Sequence, residues 1–158
     1  MVRRKPPGWT HHLFSDADLE VIAAAVEAAE RETSGEIRVH LERRLPRHSG
    51  APPGDALARA AEVFTALGMQ ATAERNGVLL YLAVDDHALA IIGDAGVHAR
   101  VGEAYWQRVR DAMIERLRRG EARDAVLDAV TEIGLVLRQL FPRRPDDENE
   151  LSDRVSLG

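Results

Sequence analysis

The sequence predicts an α/β fold, a three-layer α/β/α sandwich around a small mixed β-sheet. The most informative segment holds two apolar runs, Gly77–Val84 and Ala88–Ile92, separated by the polar break Asp85-Asp86-His87. This pattern predicts a β-hairpin. Because both runs are apolar on both faces, each side of the sheet must be covered. Amphipathic helical patterns before and after the hairpin can supply that cover.

The first predicted helix begins after Ser15, which with Asp18 three residues later forms a variant of the capping box. Gly35 readily accepts the left-handed conformation that ends helices, so the helix is expected to stop there. The next segment, Glu36–Glu42, alternates apolar and polar residues, which predicts a half-buried strand at an edge of the sheet. On this pattern His40 faces solvent.

Three further helices are predicted from apolar residues at helical spacing. Their expected ranges are about 55–69, 102–119 and 121–141. A loop rich in turn-forming residues, 43–54, precedes the first of them. Gly120 separates the last two helices, and Pro142 ends the final one because proline lacks an amide hydrogen and clashes with the preceding turn.

The predicted order of elements is helix, strand, helix, two strands and two helices. A helical crossover joins the first two strands, so they are expected to be parallel with a right-handed connection. The third strand returns antiparallel through the hairpin. The carboxyl ends of the two parallel strands then share one rim of the sheet, where ligands usually bind in open α/β sheets.

The length of the chain predicts one domain, assigned here to residues 13–141. Residues 1–12 contain proline and glycine and show no periodicity, so a flexible N-terminal tail is expected. Residues 142–158 are expected to form a flexible acidic C-terminal tail.

Composition restricts the possible classes of function. The formal net charge of −5 argues against nucleic acid as a partner, because duplex binding needs a concentrated basic surface. The absence of cysteine excludes a disulfide, a thiolate nucleophile and a zinc–thiolate site. No apolar run approaches the roughly 18–20 residues of a membrane span. The N-terminal segment lacks the apolar part of a secretory signal, so a cytoplasmic location is expected.

Acidic side chains collect at the rim that the two parallel strands share. Glu42 ends the first strand, Asp85 and Asp86 follow the second, and Asp16 and Asp18 begin the helix that points toward the same rim. Carboxylates meeting there would raise one another's pKa values and suit a hard cation. The alternative is local chemistry, since the hairpin acids suit a turn and the helix acids suit a helix N-terminus.

Other chemistries have weaker signals. The histidines show no HExxH or HxH spacing, and no GxSxG nucleophile elbow is present. The turn between Gly93 and Gly96 is too short and glycine-poor for a Walker or dinucleotide-binding loop. Tyr105 and Trp106 fall on an apolar helical stripe, which favours core packing over a ligand platform.

Two segments carry a resemblance to a known family. They read LFSDADLEVIAAAVEAAERETSGEIRVHLE, from Leu13, and NGVLLYLAVDDHALAIIGDAGV, from Asn76; the second is followed by W-x-x-V and a later helix that ends at Phe141. Over about residues 13–141 the chain resembles the TPM domain family. The resemblance implies an α/β/α sandwich. It also implies a domain described as a weak acid phosphatase or as a divalent-ion binder, with calcium the usual ion.

The resemblance also points to particular residues. Asp85 and Asp86 match the family's acidic hairpin turn, and Asp94 matches a second position after Gly93. The family often has Asp-Arg at the turn, where this chain has His87 or Asp86. That difference argues against a phosphatase, because arginine is the natural bidentate partner of phosphate. Together with the rim argument, the predicted ligands of a divalent cation, Ca²⁺, are Asp16, Glu42, Asp85, Asp86 and Asp94.

Two functions follow from these features. The first is a non-enzymatic calcium-binding domain that acts as an interaction or assembly module with a protein partner, which carboxylates on loop ends and the missing nucleophile favour. The alternative is a weak metal-assisted acid phosphatase, with Asp85 or Asp86 as a metal ligand or nucleophile. Its cationic groups would come from Arg43, Arg44 and Arg47 of the long loop.

Overall fold

A computed structural model describes residues 5–47, 54–143 and 155–158 of the chain. The elements follow the predicted order, with one further helix and one further short strand. The helices are α1 (Asp16–Glu30), α2 (Ala56–Ala66), α3 (Ala95–Val101), α4 (Glu103–Arg118) and α5 (Ala122–Leu140). The strands are β1 (Glu36–Glu42), β2 (Gly77–Ala83), β3 (Ala88–Gly93) and β4 (Ser156–Leu157). Short 3-10 helices lie at Gly8–His12 and Met69–Ala71.

The strands form one mixed sheet in the order β3-β2-β1-β4. β1 and β2 are parallel, with Val39 opposite Leu80, and β3 returns antiparallel to β2. The predicted crossover and hairpin are therefore confirmed. β4 pairs in parallel with the other edge of β1, where His40 lies opposite Ser156 and Leu41 opposite Leu157.

Each face of the sheet is covered by helices, which confirms the three-layer sandwich. On one face, Leu80 and Val39 pack in a large apolar core with side chains of α1 and α5, such as Ile22 and Val130. On the other face a smaller core packs against α2. Its buried members are Leu45, Ala60, Val63, Phe64, Met69, Leu79, Tyr81, Ala83 and Ala90. Since consecutive side chains of β2 enter opposite cores, the run has no polar side.

The predicted capping box starts α1. The Ser15 hydroxyl accepts a hydrogen bond from the Asp18 amide at 3.0 Å, and the Asp18 carboxylate accepts one from the Ser15 amide at 2.9 Å. Thr33 caps the carboxyl end of α5. Its hydroxyl lies within hydrogen-bond distance of the carbonyls of Leu137 (3.0 Å) and Phe141, which belong to the last turn and the C-cap of α5.

One helix was missed by the sequence pattern. The predicted helix at 102–119 is preceded by α3, which begins after the N-cap residue Asp94. Gly102, with a φ of 77°, ends α3 and starts α4 in a conformation that side-chain-bearing residues rarely adopt. A seven-residue helix is too short to show clear amphipathic periodicity, which explains the omission.

Part of the expected N-terminal tail is folded. Residues Gly8–His12 form a 3-10 helix in which Thr10 is buried and donates a hydrogen bond from its hydroxyl to the carbonyl of Pro7 at 2.8 Å. Trp9 packs against the large core. These contacts correct the expectation of a loose segment at 8–12. Residues 1–4 of the predicted tail lie outside the described residues.

The expected C-terminal tail also contributes to the fold. Pro142 pairs with Thr33 in an isolated bridge, and Arg143 donates a hydrogen bond to the carbonyl of Glu30. Ser156 and Leu157 extend the sheet as β4. β1 is therefore an interior strand and His40 is buried, 6% exposed, which corrects the prediction of an edge strand with a solvent-facing histidine. Residues 144–154 lie outside the described residues.

Candidate functional site

The rim at the carboxyl ends of β1 and β2 is organised by backbone hydrogen bonds that continue past both strands. The Val84 amide donates to the Glu42 carbonyl at 2.8 Å, and the Asp85 amide donates to the Arg43 carbonyl at 2.8 Å. The hairpin turn and the start of the β1–α2 loop are thus held side by side. This pairing brings the Asp85-Asp86 turn next to the arginines that follow β1.

Asp85 is the centre of a charged cluster. Its Oδ1 lies 2.5 Å from Nδ1 of His12, and its Oδ2 accepts a hydrogen bond from Nε of Arg43 at 3.0 Å. Nε of Arg44 lies 3.6 Å from the same oxygen. The hydrogen bonds from His12 and Arg43 lower the pKa of Asp85 to about 2. Asp85 is consequently ionised throughout the physiological pH range.

Asp86 fixes the other side of the turn. Its Oδ2 accepts a hydrogen bond from the Leu45 amide at 2.6 Å, and its Oδ1 is paired with Nη2 of Arg47. The next residue, His87, adopts a φ of 50°, which is uncommon for a residue with a side chain. Asp86 therefore ties the hairpin turn to the β1–α2 loop.

We refer to the following residues as the rim cluster: Asp85, Asp86, His12, Arg43, Arg44 and Arg47. Its two carboxylates are matched by three guanidinium groups, so it carries a net positive charge on a chain whose formal net charge is −5. The side chains of the arginines are about half exposed. Each guanidinium has five N–H donors in a planar fork, so within the described part of the chain donors remain beyond those paired with the aspartates.

Glu42 does not join the rim cluster. Its carboxylate accepts hydrogen bonds from the Tyr81 hydroxyl at 2.5 Å and from Nε and Nη2 of Arg59 at 3.1 and 2.5 Å. Burial raises the pKa of Glu42, but the hydrogen bonds from Arg59 and Tyr81 outweigh burial and place the pKa below its usual value. Burial, followed by the hydrogen bond to Glu42, raises the pKa of Tyr81.

The two remaining predicted ligands lie elsewhere or have another partner. Asp94, at the opposite rim, accepts a hydrogen bond from the Ala95 amide at 2.7 Å and a bidentate pair from Arg75 at 2.7 and 2.9 Å. Oδ1 of Asp16 lies 2.7 Å from Nε2 of His11. Of the five predicted ligands, the structure brings only Asp85 and Asp86 together as neighbours in one cluster.

A divalent cation needs several free oxygen ligands, which this cluster does not offer. Calcium takes six to eight oxygen ligands, whereas the oxygens of Asp85 and Asp86 already face guanidinium, imidazole and amide donors. In the described part of the chain, no group of three or more histidine and acidic residues is placed to hold a metal ion. The residues therefore do not fit calcium in this arrangement.

Sequence reasoning missed two members of these clusters. The sequence predicts a flexible tail around His12, and no signal in it connects this residue with Asp85, 73 positions away. Arg59 lies on α2, where an arginine at a helical position is ordinarily a solvent contact. The sequence does offer Arg43, Arg44 and Arg47 as possible cations, and in the structure these arginines contact the hairpin turn.

None of the helices in the described ranges combines the length and the apolar character of a membrane span. The molecule defined by these elements is a small α/β/α domain with a charged rim at its hairpin turn. The family model of the TPM domain matches residues 10–136, and the chain belongs to this family. None of the curated proteins matches the sequence significantly.

Solved structures agree with this assignment. The chain is 34% identical to the BA42 protein of the psychrophilic bacterium Bizionia argentinensis; the match covers 92% of this chain and 95% of that chain, with a TM-score of 0.79. The N-terminal domain of a P. gingivalis protein is 23% identical over 82% of this chain and 79% of that chain, with a TM-score of 0.61. At that identity the second likeness shows the fold alone.

Proposed function

We propose that this TPM domain is a binding module in which the rim cluster recognises an anionic group, a phosphate or carboxylate, on its partner. The observation that carries the proposal is that Arg43 and Arg44 share the single carboxylate of Asp85. One positive charge in that group is not balanced by the aspartate. The side chains of Arg43 and Arg44 are about half exposed, so an anion in solvent can accept hydrogen bonds from their remaining N–H groups.

In this proposal the aspartates are positioning residues. Asp85 holds Arg43 and Arg44 near the end of β2, and Asp86 holds Arg47 on the other side of the turn. Arginines held in this way lose less side-chain freedom when an anion binds, because much of that freedom is already lost in the free protein. The arrangement therefore favours a pre-organised anion site of net positive charge.

Calcium binding at Asp85 and Asp86 remains a prediction. An ion there would have to replace the hydrogen bonds that the two carboxylates accept from Arg43, Arg47 and the Leu45 amide. In the cation site the aspartates would bind the ion and release the arginines, whereas in the anion site the aspartates hold the arginines in place. The two sites therefore exclude each other, and one titration distinguishes them.

The test is a thermal-unfolding titration of chelator-treated protein with inorganic phosphate, calcium and magnesium in separate series. A ligand that binds only the native state stabilises it by about 2.7 kcal/mol at a hundredfold excess over its dissociation constant. We expect phosphate to raise the unfolding midpoint of the wild type and to lose this effect with Arg44→Ala. Arg31→Ala, which removes an exposed arginine paired with Glu27 on α1, is the matched control and should respond like the wild type.

The outcomes are distinct. A phosphate response that survives Arg44→Ala, or no phosphate response at all, would contradict the anion site. A response to calcium but not to phosphate, lost with Asp85→Asn, would instead support the calcium-binding module.

Phosphomonoester hydrolysis is the second candidate, and one observation favours it. Asp85 is ionised, as a carboxylate nucleophile must be, and it lies beside guanidinium groups that can bind a phosphoryl group. Hydrolysis of p-nitrophenyl phosphate by the wild type, lost with Asp85→Asn and retained with Asp111→Asn on α4, would support an enzyme. Phosphate binding without turnover would support the binding module alone.

A further inference from the structure

The outer edge of β1 is covered by a very short segment of the same chain. β1 has seven residues, and in the described part of the chain β4 pairs with only two of them, His40 and Leu41. Leu157 of β4 is 37% exposed. Among the described residues this pairing is short, since strands of ordinary length are about five or six residues long, and Val155 adds a contact with the large core.

The contacts of this segment are nevertheless specific. Nδ1 of His40 lies 2.8 Å from the Ser156 hydroxyl, and the Gly158 amide donates a hydrogen bond to the Leu41 carbonyl at 2.8 Å. A Cβ on Gly158 would lie 2.7 Å from Nε2 of His40, closer than carbon and nitrogen can approach. The edge therefore fits a segment with a hydroxyl at the first position and no side chain two positions later.

His40 supplies a second sign that the edge is a built surface. The residue is 6% exposed, its ring stacks against Tyr81 with centroids 6.1 Å apart, and its Nε2 has no hydrogen-bond partner in the described residues. A buried polar atom without a partner costs free energy. The edge thus keeps the imidazole of His40 beneath the docked segment. A segment that covered the edge by apolar contact alone would not need a polar side chain at this position.

The connection to the domain allows the segment to reach beyond its own copy. Pro142 is paired with Thr33 just before β1, and Ser156 pairs with His40 near the end of the strand, a path of about 20 Å at the rise of a strand. Residues 144–154, which join the two points, could span up to about 40 Å if fully extended. The covalent connection therefore does not restrict residues 155–158 to their own β1.

We infer that the β1 edge is a self-association site, at which residues 155–158 of one copy pair with β1 of a second copy. The occupant is identified by the structure itself, because the segment that fits the edge is part of every copy. A reciprocal exchange gives a two-fold symmetric dimer in which both edges remain covered. Adding a strand to an open sheet edge is a common mode of protein association. This site is distinct from the rim cluster.

The absence of native cysteine allows a direct test by disulfide trapping. Copies carrying His40→Cys are mixed with copies carrying Ser156→Cys at about 1 mM, the range of effective concentration for a tethered segment. Mild oxidation is expected to join the two variants into a heterodimer, seen on a non-reducing gel and identified by mass spectrometry of the linked peptides. Val21→Cys, at an exposed position on α1, replaces Ser156→Cys as the control and should give only background cross-linking.

A chain carrying both His40→Cys and Ser156→Cys shows whether the geometry allows the bond, because opposite residues on paired strands lie within disulfide range. If this chain closes its own disulfide in dilute solution while the mixture gives no more heterodimer than the control, self-association at this edge is wrong. If the double variant does not close, β4 pairing fails in solution and the inference falls with it.

Sedimentation of cysteine-free protein gives an independent measurement. The wild type should gain dimer as its concentration rises toward about 1 mM. Gly158→Val should remain monomeric, because its side chain would collide with His40. Leu157→Ala should behave like the wild type, since Leu157 is substantially exposed. A wild type that stays monomeric throughout would also overturn the inference.

Discussion

The Tyr81 hydroxyl donates a hydrogen bond to the Glu42 carboxylate at 2.5 Å, from β2 to the end of β1. This contact gives the buried Tyr81 hydroxyl and the buried Glu42 carboxylate a hydrogen-bond partner each. Arg59 neutralises the negative charge of Glu42. An exposed pair of this kind would contribute little, but burial removes competing water. Glu42 is therefore a structural residue of the α2 face.

Tyr81→Phe tests that role. The variant loses a hydrogen bond to a charged group, and we expect it to lower the free energy of unfolding by about 1.5–3 kcal/mol. Tyr105→Phe is the matched control, because the Tyr105 hydroxyl is buried without a hydrogen-bond partner in the described residues. Urea unfolding should show a clear loss for the first variant and little change or a gain for the second. Equal losses would contradict the assignment.

Asp85 is expected to titrate well below an ordinary aspartate. Hydrogen bonds from His12 and Arg43 lower its pKa in the folded state from 3.8 to about 2. The stabilisation from this carboxylate is complete above the unfolded pKa near 3.8 and is lost as the pH falls through about 2, since the unfolded chain binds the proton first. NMR titration of the side-chain carboxyl carbon should give this low midpoint.

Arg43→Ala supplies the control for that titration. Removing one donor should raise the midpoint of Asp85 toward its ordinary value, whereas Arg31→Ala, just after α1, should leave the midpoint unchanged. A wild-type midpoint near 3.8 would show that the rim cluster does not form in solution.

Asp94 is expected to act as a helix cap and an ion-pair partner. Asp94→Ala removes the hydrogen bond to the Ala95 amide at the start of α3, which should cost about 0.5–2 kcal/mol of stability. Asp94→Asn keeps a capping oxygen and loses only the charge that faces Arg75, so its loss should be smaller. Thermal unfolding of both variants measures the difference. Two equal losses would assign the effect to the charge.

Gly93 is expected to be intolerant of any side chain. A Cβ at this position would lie 2.1 Å from Cζ2 of Trp106, whose indole nitrogen donates to His98 at 3.0 Å and holds the ring in place. Gly93→Ala should cost about 1–3 kcal/mol through overpacking. Gly54→Ala, with open space around its Cβ, is the control and should stay near wild-type stability in urea unfolding. A neutral Gly93→Ala would show that the ring moves freely.

Local signals predicted the framework of the fold. The hairpin, the parallel crossover and the capping box at Ser15 depend on residues close in sequence, and each is present. The burial of His40 could not be predicted in the same way, because its cover comes from Ser156, 116 positions later. An alternating strand looks identical whether its polar side meets water or a returning segment.

The candidate site shows the same division. The proximity of Asp85 and Asp86 to the end of β1 follows from topology, which the sequence pattern contains. The pairing of these carboxylates with Arg43 and Arg47 depends on the path of the β1–α2 loop, for which turn-forming residues give no direction. The sequence pattern therefore places Asp85 and Asp86 beside the end of β1, without predicting the arginines that surround them.

The contact between Thr33 and the end of α5 has a consequence for the order of folding during synthesis. Thr33 leaves the ribosome more than a hundred residues before Leu137, whose carbonyl its hydroxyl later binds. The last turn of α5 therefore reaches its final hydrogen bonding only when nearly the whole domain has emerged. Until then, α1 and β1 lack their packing against α5. Their apolar surface stays exposed during synthesis, when nascent chains are prone to aggregate.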